Sequence, residues 1–205
     1  MAAKDVYKRQ TLRDLDLGGK LNASLFQSVS ARTAGYASVN IGRELDLTKM
    51  ITIILMFIGA SPASTGGGIK TTTFMVLAAT VFSVFRGKED AVLLKRRVDK
   101  SIVYRALAIF FMALAAVIIA TCIILYTNPH LQISLVDALF EATSAFGTVG
   151  LTAGITPMLG AVPKYVLSFT MFMGRVGPVS LALAVAVRKG NRVGAVLPEG
   201  KLIVG

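Results

Sequence analysis

Apolar positions fall into blocks separated by short polar breaks, and the blocks differ in length and period. Residues 102–126 carry one charge, Arg105, close to one end. About 20 such residues cross a bilayer as a helix, so this block predicts a membrane span. Residues 165–187 predict a second span, interrupted near its middle by Gly174, Arg175, Gly177 and Pro178. Residues 51–85 as one straight helix would be about 52 Å long against a hydrocarbon core of about 30 Å. The helix must be broken, and the sequence shows where. Apolar stretches 51–60 and 74–85 flank SPASTGGGIKT (61–71), whose proline and three consecutive glycines cannot continue a regular helix. Neither stretch is long enough to span by itself, so the break is expected at membrane depth. Irregular backbone survives there only where protein or a water-filled path covers it. Residues 21–31 and 134–145 have helical apolar spacing over about a dozen positions, a length that suits re-entrant helices.

Composition agrees with this pattern. The 205 residues are 54% apolar and only 16% charged, with no Trp. Soluble domains carry about 25% charged residues. The net charge of +11 suggests either nucleic-acid binding or basic loops on one side of a bilayer. Position decides between them. Arg86, Lys88, Lys95, Arg96, Arg97, Lys100 and Arg105 lie between two apolar blocks, and Arg188, Lys189, Arg192 and Lys201 follow the last one. The opposite connections hold no Lys or Arg over 127–138 and only Lys164 over 149–164. This asymmetry predicts a multi-pass protein with both basic segments and the C-terminus cytoplasmic, and no nucleic acid as partner. Cys122, the single cysteine, lies inside an apolar run and reads as a small buried or lipid-facing residue.

The chain also repeats itself. Leu25-Phe26-Gln27-Ser28-Val29-Ser30-Ala31 matches Leu139-Phe140-Glu141-Ala142-Thr143-Ser144-Ala145 at an offset of 114. Thr33-Ala34-Gly35-Tyr36 matches Thr148-Val149-Gly150-Leu151, and Met56-Phe57-Ile58-Gly59 matches Met171-Phe172-Met173-Gly174, both at 115. Each unit reads as a short re-entrant helix, a Thr-x-Gly turn, an outer loop and a span with a glycine partway down. At such a turn, backbone carbonyls are free to face a lumen. Rings of carbonyls replace the hydration shell of a cation in selective pores, glycine permits the angles that aim them, and the negative C-terminal end of the short helix favours a cation. The alternative is that both turns are ordinary connections between helices.

The strings FQSVSARTAGY (26–36), MFIGASPASTGGGIKTTTF (56–74), FEATSAFGTVGLTAGITP (140–157) and MFMGRVGP (171–178) resemble the Trk/Ktr/HKT superfamily of potassium transporters, and within it the membrane subunit of bacterial Ktr systems. The resemblance covers about residues 12–197. It implies an all-α membrane protein whose pore has four helix, pore-loop, helix repeats, of which this chain matches the C-terminal part. Residues 11–98 would then be the pore loop and broken second helix of repeat three plus a cytoplasmic loop, and 99–205 all of repeat four with a cytoplasmic tail. Residues 1–10, with DVYKRQ at 5–10, resemble a translated cloning adapter and are expected to be an artefactual leader.

Carried over by position, the resemblance implies a selectivity filter at Thr33, Ala34, Gly35, Thr148, Val149 and Gly150, with potassium held by their backbone carbonyls. It implies a gate at Gly66, Gly67, Gly68, Lys70 and Arg175, with the loop beneath the filter. Potassium would be the transported substrate, sodium a stimulating ion, and no cofactor would be covalently bound. The implied setting is the bacterial plasma membrane, with a cytosolic nucleotide-binding regulatory subunit of the KtrA/TrkA type and a homodimer of the pore subunit. A charged residue at span centre is expensive and faces a bundle interior or a water-filled cavity, which suits Arg175 in a pore. Its alternative is neutralisation by a carboxylate such as Glu141. Lys70 is either a gate contact or a snorkelling side chain.

The functional rivals are an ion-coupled secondary transporter of another cation, with inverted repeats, and a non-conducting membrane fragment or scaffold. GGGIKT lacks the Gly-Lys adjacency of a phosphate-binding loop and follows no strand. His130 stands alone in sequence, and no nucleophilic triad or metal-ligand spacing appears. No enzymatic activity is expected.

Overall fold

The computed structural model describes residues 16–177 apart from 63, 65, 88–91 and 94–95. Six helices carry the fold among the described residues: α1 (Leu17–Ser30), α2 (Asp46–Phe57), α3 (Thr71–Phe85), α4 (Lys100–Thr127), α5 (Leu135–Gly147) and α6 (Ala161–Val176). Single 3₁₀ turns at Ile41–Arg43, Pro129–Leu131 and Thr156–Met158 shape the connections. A two-residue antiparallel hairpin, β1 (Val92–Leu93) with β2 (Arg96–Arg97), lies in the basic connection and is a small departure from the all-helical expectation.

Caps set the helix starts. Asp16 accepts from the Gly19 N–H at 2.8 Å, Asp99 from the Ser101 N–H, and Ser134 from the Val136 N–H, each taking one of the orphan donors of a first turn. Asp99 is exposed, and the bonds from Ser101 hold its carboxyl below the usual range.

α4, at 28 residues, is the one helix among the described residues long and apolar enough to cross a membrane, and only 28% of its most apolar window is buried. Tyr104, Phe111, Ile118, Ile119 and Cys122 are exposed, which suits a lipid-facing surface. The buried stripe, Ala106, Ala113, Val117, Ala120 and Ile124, is rich in small residues that let helices approach closely.

α5 is the centre of the packing. Its Ala138, Ala142, Ala145 and Phe146 join the α4 stripe, Ile69 and Leu167 in one core. Its Phe140 joins Ala31, Ile41, Ile53, Met56, Val149 and Leu151 in a second. The expected break is present: α2 ends at Phe57 and α3 begins at Thr71. The two sides of the break are tied by backbone bonds from Ile69 N–H to Phe57 O at 3.1 Å and from Thr71 N–H to Ala60 O at 3.4 Å. These satisfy polar groups that lipid would leave unpaired. α6 starts at Ala161, with Pro163 inside the first turn where its missing N–H is tolerated. It ends at Gly177, whose φ of 89° stops a helix. The expected leader at 1–10, the remainder of the second span at 178–187 and the tail cations lie outside the described residues.

Candidate functional site

The site forms where α1 and α5 end. α5 stops because Thr148 turns left-handed at φ 51°, and α1 is followed by Thr33 at φ 66°. Gly35 and Gly150 follow two residues later at φ 74° and 92°. The two turns thus repeat one backbone course, left-handed at Thr and again at Gly. A β-branched residue in that region is an outlier, and such strain collects at functional sites.

Four of the six amides in these turns bond back to their own helix. The N–H groups of Ala34 and Gly35 both donate to Ser30 O at 3.3 Å. Those of Thr148 and Val149 donate to Ala145 O and Ser144 O at 3.0 and 2.9 Å. The donors are therefore spent on the last carbonyls of each helix, in the manner of helix C-caps. Among the described residues nothing donates to the carbonyls of Thr33, Ala34, Gly35, Thr148, Val149 or Gly150. The turns also lie side by side: a Cβ built on Gly35 would stand 2.4 Å from Val149 O. Two helix C-termini, each with about half a negative charge, converge on one place. A cavity of about 480 Å³ lies beside Gly150, lined in part by Glu141, Ser144, Thr152 and Lys164.

The glycine loop packs directly against both turns. A Cβ on Gly66 would lie 3.0 Å from Thr33 Oγ1, and one on Gly67 would lie 2.7 Å from Thr148 Oγ1. At Gly66 the tightest contact is with Ala60 Cβ at 2.6 Å, whereas at Gly67 it is with Thr148 itself, so a side chain at Gly67 has to push against that turn. Gly67 N–H donates to Thr148 Oγ1 at 2.9 Å. Lys70 Nζ reaches back to Gly66 O at 2.7 Å, so this ammonium closes the loop on itself rather than snorkelling away. Gly68 adopts φ 78°. Arg175 is exposed on the last turn of α6. It follows the buried Gly174, which abuts the carbonyl of Phe146 at the end of α5. It makes no ion pair among the described residues.

Glu141 has other partners than Arg175. Its Oε1 accepts from the Thr152 hydroxyl and from Ala153 N–H at 3.1 Å, which fixes the strand that leaves Gly150. A part-buried ion pair that spacing does not reveal joins α2 to α5. Lys49, 3% exposed, meets Asp137 at 2.6 Å from a position 88 residues away in sequence. The available signal is a lone Lys and a lone Asp, each near the N-terminal end of an apolar helix. Nearby Glu44 is half-buried before α2, and burial pushes its carboxyl up despite the Lys49 ammonium.

Residues 3–192 match the family described as "TrkH: Cation transport protein". The chain is 39% identical over 197 residues to Ktr system potassium uptake protein B of Bacillus subtilis (strain 168), covering 95% of this chain and 43% of that protein. It is 40% identical over 176 residues to Ktr system potassium uptake protein B of Vibrio alginolyticus, covering 86% and 38%. It is 36% identical over 189 residues to potassium/sodium uptake protein NtpJ of Enterococcus hirae, covering 91% and 42%. The crystal structure of the potassium transporter TrkH from Vibrio parahaemolyticus shares the fold at a TM-score of 0.68 and 17% identity, covering 85% of this chain and 39% of that one. The chain thus spans about two-fifths of the length of these relatives.

Proposed function

Because the chain belongs to the TrkH family of cation transport proteins, we propose that it supplies two of the strands that line a potassium-selective uptake pore in a bacterial plasma membrane. The observation that carries this reading is the paired turns at Thr33–Gly35 and Thr148–Gly150: the N–H groups of Ala34, Gly35, Thr148 and Val149 are spent on their own helices, and the carbonyls of both turns have no donor among the described residues. A dehydrated cation takes such carbonyls in place of water. Relatives named for potassium uptake favour potassium as the ion. In this reading Gly66, Gly67, Gly68 and Lys70 form the gate directly beneath the turns, and Arg175 is the cation barrier below them. The protein carries out no chemical step. The basic segments face the cytosol, where a nucleotide-binding regulatory subunit acts, and the pore subunit pairs with a second copy. Sodium is the stimulating ion in the same scheme.

The test is potassium-uptake rescue, in cells lacking their own uptake systems, by a full-length Ktr-type relative in which this chain replaces the matching C-terminal part. Rescue is expected. Gly150→Ser is expected to lower potassium over sodium discrimination at least several-fold. Its Cβ has room, the nearest atom being Gly35 Cα at 3.6 Å, but a side chain at φ 92° is strained and re-aims the carbonyl. Unchanged relative permeability in Gly150→Ser removes this turn from the ion path.

A further inference from the structure

Thr148 has a side chain with a task of its own. Its Oγ1 is the acceptor for Gly67 N–H, and the two residues are 81 positions apart in sequence. Gly67 is buried, and its N–H has no other acceptor among the described residues. The bond therefore satisfies a donor that would otherwise be orphaned. Thr33 supplies the contrast. It holds the same left-handed backbone and leans on Gly66, yet its hydroxyl donates at 2.6 Å to Arg32 O, beside it in sequence. Its contact with the loop is steric. Thr148 alone of the two bonds the loop. Holding a β-branched side chain at φ 51° is strained where Gly or Asn would be easier, and the hydroxyl is what threonine adds there.

We infer that Thr148 is a positioning residue that latches the glycine loop to the turn of α5, so that the loop cannot leave its seat without breaking the Gly67–Thr148 hydrogen bond or carrying the turn with it. Among the described residues the loop is otherwise held by bonds within itself and to its ends, through Ile69 N–H on Phe57 O, Thr71 N–H on Ala60 O, Lys70 Nζ on Gly66 O, Gly66 N–H on Ser64 Oγ and Ser64 N–H on Ser61 O. None of these reaches a turn. Among the described residues the Thr148 hydroxyl is thus the polar link between the proposed gate and the proposed filter, and it makes the position of one depend on the shape of the other. This inference rests on the pore reading for its meaning in transport, but not for its existence as a latch.

Loop displacement is read by the reactivity of a buried reporter. Ile69 is 2% exposed and sits in the α4–α5 core. Ile69→Cys, in a background that includes Cys122→Ser and no other cysteine, reacts with N-ethylmaleimide only when the loop lifts. Thr148→Val keeps the shape and removes the acceptor, and it is expected to raise the labelling rate in membranes about tenfold. Thr148→Ser keeps the hydroxyl and is expected to label like the parent. Thr148→Ala removes the same acceptor with less strain and takes the place of Thr148→Val if the latter does not reach the membrane. Equal labelling in parent and Thr148→Val overturns the latch, as does a Thr148→Ser protein that labels as fast as Thr148→Val. Potassium and sodium uptake are measured in the same cells. Labelling that follows the hydroxyl in a protein that moves neither ion keeps the latch and overturns the pore reading.

Discussion

α1 and α5 end in turns with the same backbone course and live in different surroundings. Nine of the 13 residues of α5 are buried, against two of the 14 in α1, Gln27 and Ser30. Leu17, Leu21, Leu25, Phe26 and Val29 of α1 remain exposed. The repeat-equivalent pair Gln27 and Glu141 sharpens the contrast. Glu141 bonds Thr152 and Ala153, whereas both polar atoms of the Gln27 amide are buried without a partner among the described residues. Turn geometry is therefore a local property, set by the left-handed Thr and Gly and by the helix carbonyls they cap. Enclosure is a tertiary property that the repeat does not guarantee.

The comparison breaks most completely at the bond that joins the two units. Lys49→Met leaves Asp137 as an unpaired, largely buried charge and is expected to lower stability by about 4 kcal/mol. The double variant Lys49→Met/Asp137→Leu is expected to recover most of that loss. Thermal melting of the solubilised protein gives the values, and a double variant as unstable as the single one means that the pair does not couple α2 to α5. Next comes Gly174→Ala, which drives a Cβ to 1.8 Å from Phe146 O, a backbone atom that no rotamer change relieves. A loss of about 3 kcal/mol is expected by the same measurement, and a melting temperature equal to the parent's would show that α6 stands further from α5. The smallest pair of effects sharpens the contrast directly. Glu141→Ala orphans the buried Ala153 N–H, at a cost of about 2 kcal/mol, while the exposed Thr152 hydroxyl keeps Gly154 N–H as a partner. Gln27→Leu replaces an unsatisfied amide by an apolar group of similar size, and is expected to be neutral or slightly stabilising. Equal losses at the two sites would mean that Gln27 has a partner in the membrane.

Much of the fold was legible because punctuation and period determine it. The 25-residue apolar run gave α4, and Pro62 with three glycines gave the break between α2 and α3. The repeat offsets gave the two turns, and the positive φ values at Thr33, Gly35, Thr148 and Gly150 follow that register. The polar cross-links were not legible. Lys49 meets Asp137, Thr148 meets Gly67, and Glu141 turns to Thr152 instead of Arg175. Each is a pairing between faces of different elements, or around a loop whose curl no period records. Apolar period says which face is inward, but not which polar group waits opposite.

α4 has one further consequence, of a mechanical kind. As a helix of 28 residues it is about 42 Å long, against a hydrocarbon slab of about 30 Å. A spanning helix of that length has to lean or leave its ends in the interface, and Lys100 and Arg105 at one end and Tyr126 at the other suit interfacial anchoring. The lean depends on bilayer thickness, and α4 packs its alanine stripe onto α5, whose C-terminus carries Thr148. A change in lipid thickness that altered the lean of α4 would therefore be felt first at its alanine contact with α5.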